Sequence, residues 1–182
     1  MIVLLKKLYI LFKLSGTFLF DTLFRILEIS SQVFPSSAWG CNIRGWVYKP
    51  FLRKCGNNFQ VALGAKLEHC RNIEVGNDVY IGHGCWISGV RGGIIFGDEV
   101  MLGPGVKMVS SNHTPVNGSY RFGPGIGKEI KIGKGTWIAA NAVITAGVYI
   151  GDGCLVAAGA VVTKSFDSNS VIAGIPAKNL SK

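Results

Sequence analysis

A chain of 182 residues is long enough for one domain with an appendage and too short for two domains of ordinary size. Only 16% of it is charged against 48% hydrophobic, so part of the surface is expected to lie against other subunits or lipid rather than water. The net charge of +9 points to an anionic partner such as phosphate groups, an anionic lipid surface or an acidic saccharide, and no motif supports nucleic acid.

Residues 1–34, MIVLLKKLYILFKLSGTFLFDTLFRILEISSQVF, are apolar but punctuated by charge. No run reaches the roughly 18 uncharged apolar residues that a spanning helix needs. At 100° per residue, Lys6, Lys7, Lys13, Asp21, Arg25 and Glu28 fall within an arc of about 120°, leaving a wide apolar face. The pattern predicts an N-terminal amphipathic helical extension of interfacial type, divided by Ser15 and Gly16. The early lysines also suit a signal peptide, but no small-x-small cleavage site follows closely. Two covers for the apolar face stay open: a membrane surface and the rest of the protein.

Residues 35–55 are expected to form a basic connector, punctuated by Pro35, Gly40, Gly45 and Pro50. No acidic residue lies between Glu28 and Glu68, while Arg44, Lys49, Arg53, Lys54 and Lys66 supply positive charge. Such a segment beside an amphipathic helix suits an anionic leaflet, and Trp39, Trp46 and Tyr48 add rings of the kind that settle at a membrane boundary.

Over residues 56–167 the apolar period becomes six. Clear units open with VGNDVY at Val75 and IGHGCW at Ile81, resume with FGDEVM at Phe96, and run without interruption from Ile132 to Asp167 as IGKGTW, IAANAV, ITAGVY, IGDGCL, VAAGAV and VTKSFD. A period of six fits neither a helix nor a hairpin meander. It predicts an all-β solenoid, a parallel β-helix in which each short strand sends a branched side chain inward and three hexads close one coil. Residues 114–131, dense in Pro, Gly, Asn and Ser, interrupt the repeat as an external loop, and the tail 168–182 is expected to fold back on the last coils.

Cys41, Cys55, Cys70, Cys85 and Cys154 form no CxxC pair and read as reduced cytosolic thiols. Cys85 and Cys154 occupy fifth positions of hexads, where a small packed side chain is wanted. The three histidines are His69, His83 and His113. His113 ends a hexad at a corner directly before the external loop, so it stands at a cleft edge as a base or as a plain turn residue. His83 is expected mid-strand on another face.

The motifs SNHTP at 111–115, GTWIAA ending at Ala140, AAGAVVTK ending at Lys164 and AGIPAK ending at Lys178 resemble the hexapeptide-repeat acyltransferases, and within them the sugar O-acetyltransferases related to galactoside and maltose acetyltransferase. The resemblance implies a left-handed winding, a homotrimer with sites between subunits, and acetyl-CoA as co-substrate with no metal. It implies that His113 is the general base and that the Ala140 amide supports the oxyanion. Trp137, Ala140, Ala158, Thr163, Lys164 and Lys178 match coenzyme A positions. His83 stands where galactoside acetyltransferases carry an Asn, leaving it between a second acid/base group, an acceptor contact and a structural donor. An acceptor-contacting Asp of that family corresponds to Arg91; Arg91 and Trp86 are weak acceptor candidates. The function this implies is O-acetylation of a saccharide, in capsule, exopolysaccharide or O-antigen synthesis, with an acceptor that is free, lipid-linked or polymeric. The amphipathic arm, the basic segment after it and the reduced cysteines add the expectation of a peripheral enzyme on the cytoplasmic face of the inner membrane. Alternatives are antibiotic or serine O-acetyltransferases and, more distantly, a zinc γ-type carbonic anhydrase or a non-catalytic trimeric scaffold.

Overall fold

The computed structural model describes residues 19–181. Lys6, Lys7, Lys13 and the break expected at Ser15 and Gly16 lie outside the described residues. Helix α1 spans residues 19–31 and α2 spans Ala38–Tyr48, followed by a 3-10 turn at Lys49–Phe51 that contains Pro50. Ser37 caps α2 by accepting a bond from the Gly40 amide. The segment expected as a connector is thus mostly helix. Its glycines serve close packing rather than chain reversal: a side chain at Gly45 would collide with the Phe59 carbonyl, and one at Gly40 with the Pro35 carbonyl.

Five coils follow. They are β1 (Lys54–Cys55), β2 (Gln60–Val61) and β3 (Lys66–Glu68); β4 (Ile73–Val75), β5 (Tyr80–Ile81) and β6 (Trp86–Ser88); and β7 (Ile94–Phe96), β8 (Met101–Leu102) and β9 (Lys107–Val109). A hairpin of β10 (Ser111–His113) and β11 (Gly125–Gly127) interrupts here. The coils resume with β12 (Ile130–Ile132), β13 (Trp137–Ile138) and β14 (Val143–Ile144), then β15 (Tyr149–Ile150), β16 (Leu155–Val156) and β17 (Val161–Val162). First, second and third strands of successive coils stack in parallel register as three faces, A, B and C. The loop expected over 114–131 is shorter, because Ile130–Ile132 already belongs to face A. The tail stays on the solenoid longer than expected: β18 (Val171–Gly174) adds a parallel strand to face B, and only β19 (Ala177–Asn179) turns back antiparallel.

The core is an aliphatic column. The hexad openers Ile132, Ile138, Ile144, Ile150, Val156 and Val162 are all at most 1% exposed, each worth about 1.5–3 kcal/mol of burial. Fifth positions also point inward, and Cys85 and Cys154 are buried there among Thr136, Ala142 and Ala160.

The cap of α1 and α2 closes the first coil through a polar cluster. The Arg44 guanidinium, fully buried, donates from Nε to the Val61 carbonyl at 2.8 Å and from Nη1 to the Phe34 carbonyl at 3.0 Å. Tyr48 donates its hydroxyl to Glu28 at 2.7 Å, and Arg25 also pairs with that carboxylate. Glu28 and Tyr48, expected on a polar arc and at an interface, are therefore buried instead. Trp39 and Trp46 remain exposed. No helix among the described residues is long and apolar enough to cross a membrane.

Candidate active site

Strands of two residues leave most of each hexad to the corners, which decides where the candidate residues sit. His83 falls in the turn between β5 and β6, not mid-strand, because β5 ends at Ile81. That turn belongs to the edge between faces B and C, where the rungs bond to one another: Gly105 N to His83 O at 2.8 Å, Asn141 N to Pro104 O at 2.9 Å and Gly159 N to Ala140 O at 2.9 Å. His83, Ala140 and Ala158 thus share one edge of the prism.

Beside this edge, face B presents an apolar outer column of Tyr80, Met101, Trp137 and Leu155 in register, with Trp137 45% exposed. The neighbouring positions are small: Gly82, Gly103, Ala139 and Ala157. A side chain at Gly103 would come within 2.8 Å of the Ala140 amide nitrogen, so the wall must stay low there. The Ala140 amide makes no hydrogen bond among the described residues. Lys178 lies on β19, opposite Ala173 of β18, at the end of the same face.

The other edge, between faces C and A, carries a different set. His113 closes β10, pairs across the hairpin with Gly125, is exposed, and its imidazole makes no hydrogen bond among the described residues. Ser110 roots the hairpin: its buried hydroxyl donates toward the Val90 carbonyl at 2.9 Å and accepts from the Gly93 amide at 3.0 Å. Arg91, in the same corner one coil earlier, packs against Gly125 and Gly127, where a side chain would meet it. Thr163 and Lys164 occupy this edge two coils later, directly after β17. A groove of about 140 Å³ runs between the hairpin and face C, lined by Lys107, Val109, Ser111, Asn112, Val143 and Thr145 among others.

Trp86, on face C, donates its indole N–H to Glu68 at 3.0 Å, and Lys66 pairs with the same carboxylate at 2.7 Å. The Lys66 hydrogen bond, with the Trp86 bond beside it, outweighs the opposing effect of burial and holds the Glu68 carboxyl below the usual range. His69 sits on the C–A edge of the first coil, 3.5 Å from Ser88 Oγ. The three histidines lie on three different coils, and no three His, Cys, Asp or Glu side chains gather as a metal site among the described residues.

The candidates therefore form two half-sites on two edges of one chain, and the structure does not bring His83 and His113 together. Sequence reasoning missed the hairpin that carries His113 and a cavity of about 570 Å³ between α1 and the first coil, lined by Phe20, Phe24, Leu67, His69 and Arg71 among others. The Asn117–Gly118 pair was a readable signal for the hairpin.

The family described as bacterial transferase hexapeptide (six repeats) matches residues 129–164. A Dictyostelium discoideum protein bearing the name acetyltransferase is 41% identical over 133 residues, which cover 72% of this chain and 69% of that protein. The chain belongs to the hexapeptide-repeat acyltransferase family. This acyltransferase is also 37% identical to nodulation protein L of Rhizobium meliloti over 113 residues, spanning 60% of the chain and 61% of that protein. A structure of galactoside acetyltransferase in complex with coenzyme A superposes with a TM-score of 0.77 at 25% identity, covering 88% of this chain and 79% of the other. The acyltransferase accordingly has the left-handed parallel β-helix of its family.

Proposed function

We propose that this acyltransferase transfers the acetyl group of acetyl-CoA to a hydroxyl of a saccharide destined for surface polysaccharide such as capsule, exopolysaccharide or O-antigen. The observation that carries this reading is His113, an exposed imidazole with no hydrogen-bond partner among the described residues, held on a two-stranded arm at a prism edge. The imidazole takes the proton of the acceptor hydroxyl as its oxygen attacks the thioester carbonyl. The C–O bond forms, the C–S bond breaks, and the proton passes on to the departing thiolate. The Ala140 amide donates to the oxyanion of the tetrahedral intermediate. Trp137, Ala140 and Ala158 offer a low wall for the pantetheine arm, and Thr163, Lys164 and Lys178 meet the polar and phosphate groups. His83 contacts the acceptor or shares its proton, with Trp86 and Arg91 on the acceptor side.

Because His113 and the His83–Ala140–Ala158 line occupy different edges, we assign each site to two adjoining chains of a homotrimer. Mixing His113→Ala chains with His83→Ala chains should restore activity in mixed trimers; no restoration removes the shared site. The function itself is tested by thiol release from acetyl-CoA in the presence of a saccharide panel, with the acetyl ester confirmed by mass spectrometry. Release that depends on serine or chloramphenicol and not on any saccharide overturns it.

We further place the enzyme on the cytoplasmic face of the inner membrane, where lipid-linked saccharides are built. In support, α1 packs the half-buried Phe20 and Phe24 and the buried Glu28 against the protein yet exposes Leu19, Leu23, Ile26 and Ile29 on the opposite side, with Val33, Trp39 and Trp46 also exposed. Lys49 and Lys54, which follow Trp46 in the chain, are exposed as well. The five cysteines are free, as in a reducing compartment. The intact protein should float with anionic liposomes and a form lacking residues 1–34 should not; failure of the intact protein to float removes this placement.

A further inference from the structure

The loop beyond His113 is tightly built and yet displays two aromatic rings to solvent. Val116 and Ser119 exchange backbone hydrogen bonds of 3.0 Å each around Asn117 and Gly118, whose φ of 50° and 76° are those of a type I′ turn. Lower down, the Thr114 amide and hydroxyl both donate to the Pro124 carbonyl, at 3.2 and 3.0 Å. Gly123 passes so close to the Thr114 carbonyl that no side chain fits there. Between these two clasps, Tyr120 is 62% and Phe122 78% exposed, and the Arg121 guanidinium stands 5.8 Å from the Phe122 ring centre. Folding the loop this way forgoes most of the burial either ring could have. The rings also sit close to the base: Phe122 is two residues from Pro124, which faces Thr114, the neighbour of His113.

A pyranose ring offers a flat apolar face of C–H groups rimmed by hydroxyls, which is the surface an exposed aromatic ring covers well without requiring buried polar partners. We infer that Tyr120 and Phe122 form a stacking platform for the sugar unit next to the one acetylated, so that this loop makes the enzyme prefer an oligosaccharide over a monosaccharide acceptor. The inference rests on the saccharide O-acetyltransferase reading above. The occupant is the acceptor rather than a second copy of the chain, because the rings are carried by the same hairpin as the base, in the loop that begins directly after it.

The test compares monosaccharides and trisaccharides of glucose, galactose and N-acetylglucosamine as acceptors for wild type, Tyr120→Ala, Phe122→Ala and the double variant. Each loss is expected to raise KM for the trisaccharide about tenfold, the scale of one ring-stacking contact, with kcat nearly constant. The preference for trisaccharide over monosaccharide in kcat/KM should fall by a similar factor, and Phe122→Trp should retain it. Binding of the same trisaccharides to His113→Ala protein, measured by calorimetry, separates the platform from the chemistry: it should weaken about tenfold when Phe122→Ala is added, whether or not transfer occurs. Equal losses on both acceptor sizes, unchanged trisaccharide binding, or a variant that sediments as monomers because the rings pack on another subunit each overturns the inference.

Discussion

Replacing Arg44 tests how the helical cap is held on the solenoid. The guanidinium is fully buried and pairs with no carboxylate among the described residues; its good partners are the Val61 and Phe34 carbonyls, with Pro35 O at a longer 3.4 Å. Phe34 and Pro35 follow the C-terminal end of α1, where helix carbonyls present partial negative charge, so the cation is balanced by dipoles. Arg44→Met keeps most of the volume but orphans these carbonyls, at about 1–3 kcal/mol for each buried acceptor left unpaired. Relief from burying a charge offsets part of that. With two well-formed bonds lost, the net expected cost is about 2–4 kcal/mol. It should fall on the cap, since Val61 belongs to the first coil and the other partners to the segment after α1. Trp39 and Trp46 report the cap, and Trp86 and Trp137 the coils, so denaturant melts of variants retaining one pair or the other resolve the two. Hydrogen exchange should show α2 amides losing protection while coils four and five keep theirs. A cost below about 1 kcal/mol with α2 protection unchanged, or an equal loss throughout the solenoid, refutes the reasoning.

Burial and the adjacent Glu28 charge push the Tyr48 hydroxyl far above the ordinary phenol range, whereas an unfolded tyrosine ionises near pH ~10. Its contribution is therefore full below about pH 10 and lost as pH rises beyond it; urea melts should show Tyr48→Phe costing about 1–3 kcal/mol at neutral pH and reducing the alkaline loss. Burial, aided by Glu28, pushes the Cys70 thiol up to about 12, so alkylation mapped by mass spectrometry near neutral pH should leave Cys70 unmodified in the folded protein. Ala158→Trp on the B–C edge should raise KM for acetyl-CoA about tenfold or more with the melting temperature little changed, because Ala158 is exposed and its side chain enters no core.

The repeat was legible because the inward positions from Ile132 through Val162, two per hexad, carry only branched or small residues, without interruption. The cap was not, because Gly40 and Gly45 look like chain breaks when read alone and are close-packing positions inside a helix once Pro35 and Phe59 are in place. Charge patterning placed Glu28 on a wet arc, and a residue 20 positions away, Tyr48, draws it into the interior. His113 was found at the edge of a loop from its hexad alone. Its partner strand β11 lies beyond an irregular segment that carries no period, so the Asn117–Gly118 turn alone marked the arm. His83 was misplaced within its hexad because face B strands are only two residues long and the turn begins sooner than a longer strand would allow.

The central claim is that His113 is the general base of an acetyl transfer to a sugar hydroxyl, and the most direct measurement is the turnover of His113→Ala beside its oligomeric state and melting temperature. An exposed imidazole at the end of β10 contributes little to the core, so the variant should keep the native assembly and stability. Its rate should fall by about 10² to 10⁴, the loss expected when general-base catalysis is removed. Near-native turnover by a correctly assembled His113→Ala enzyme would contradict the account.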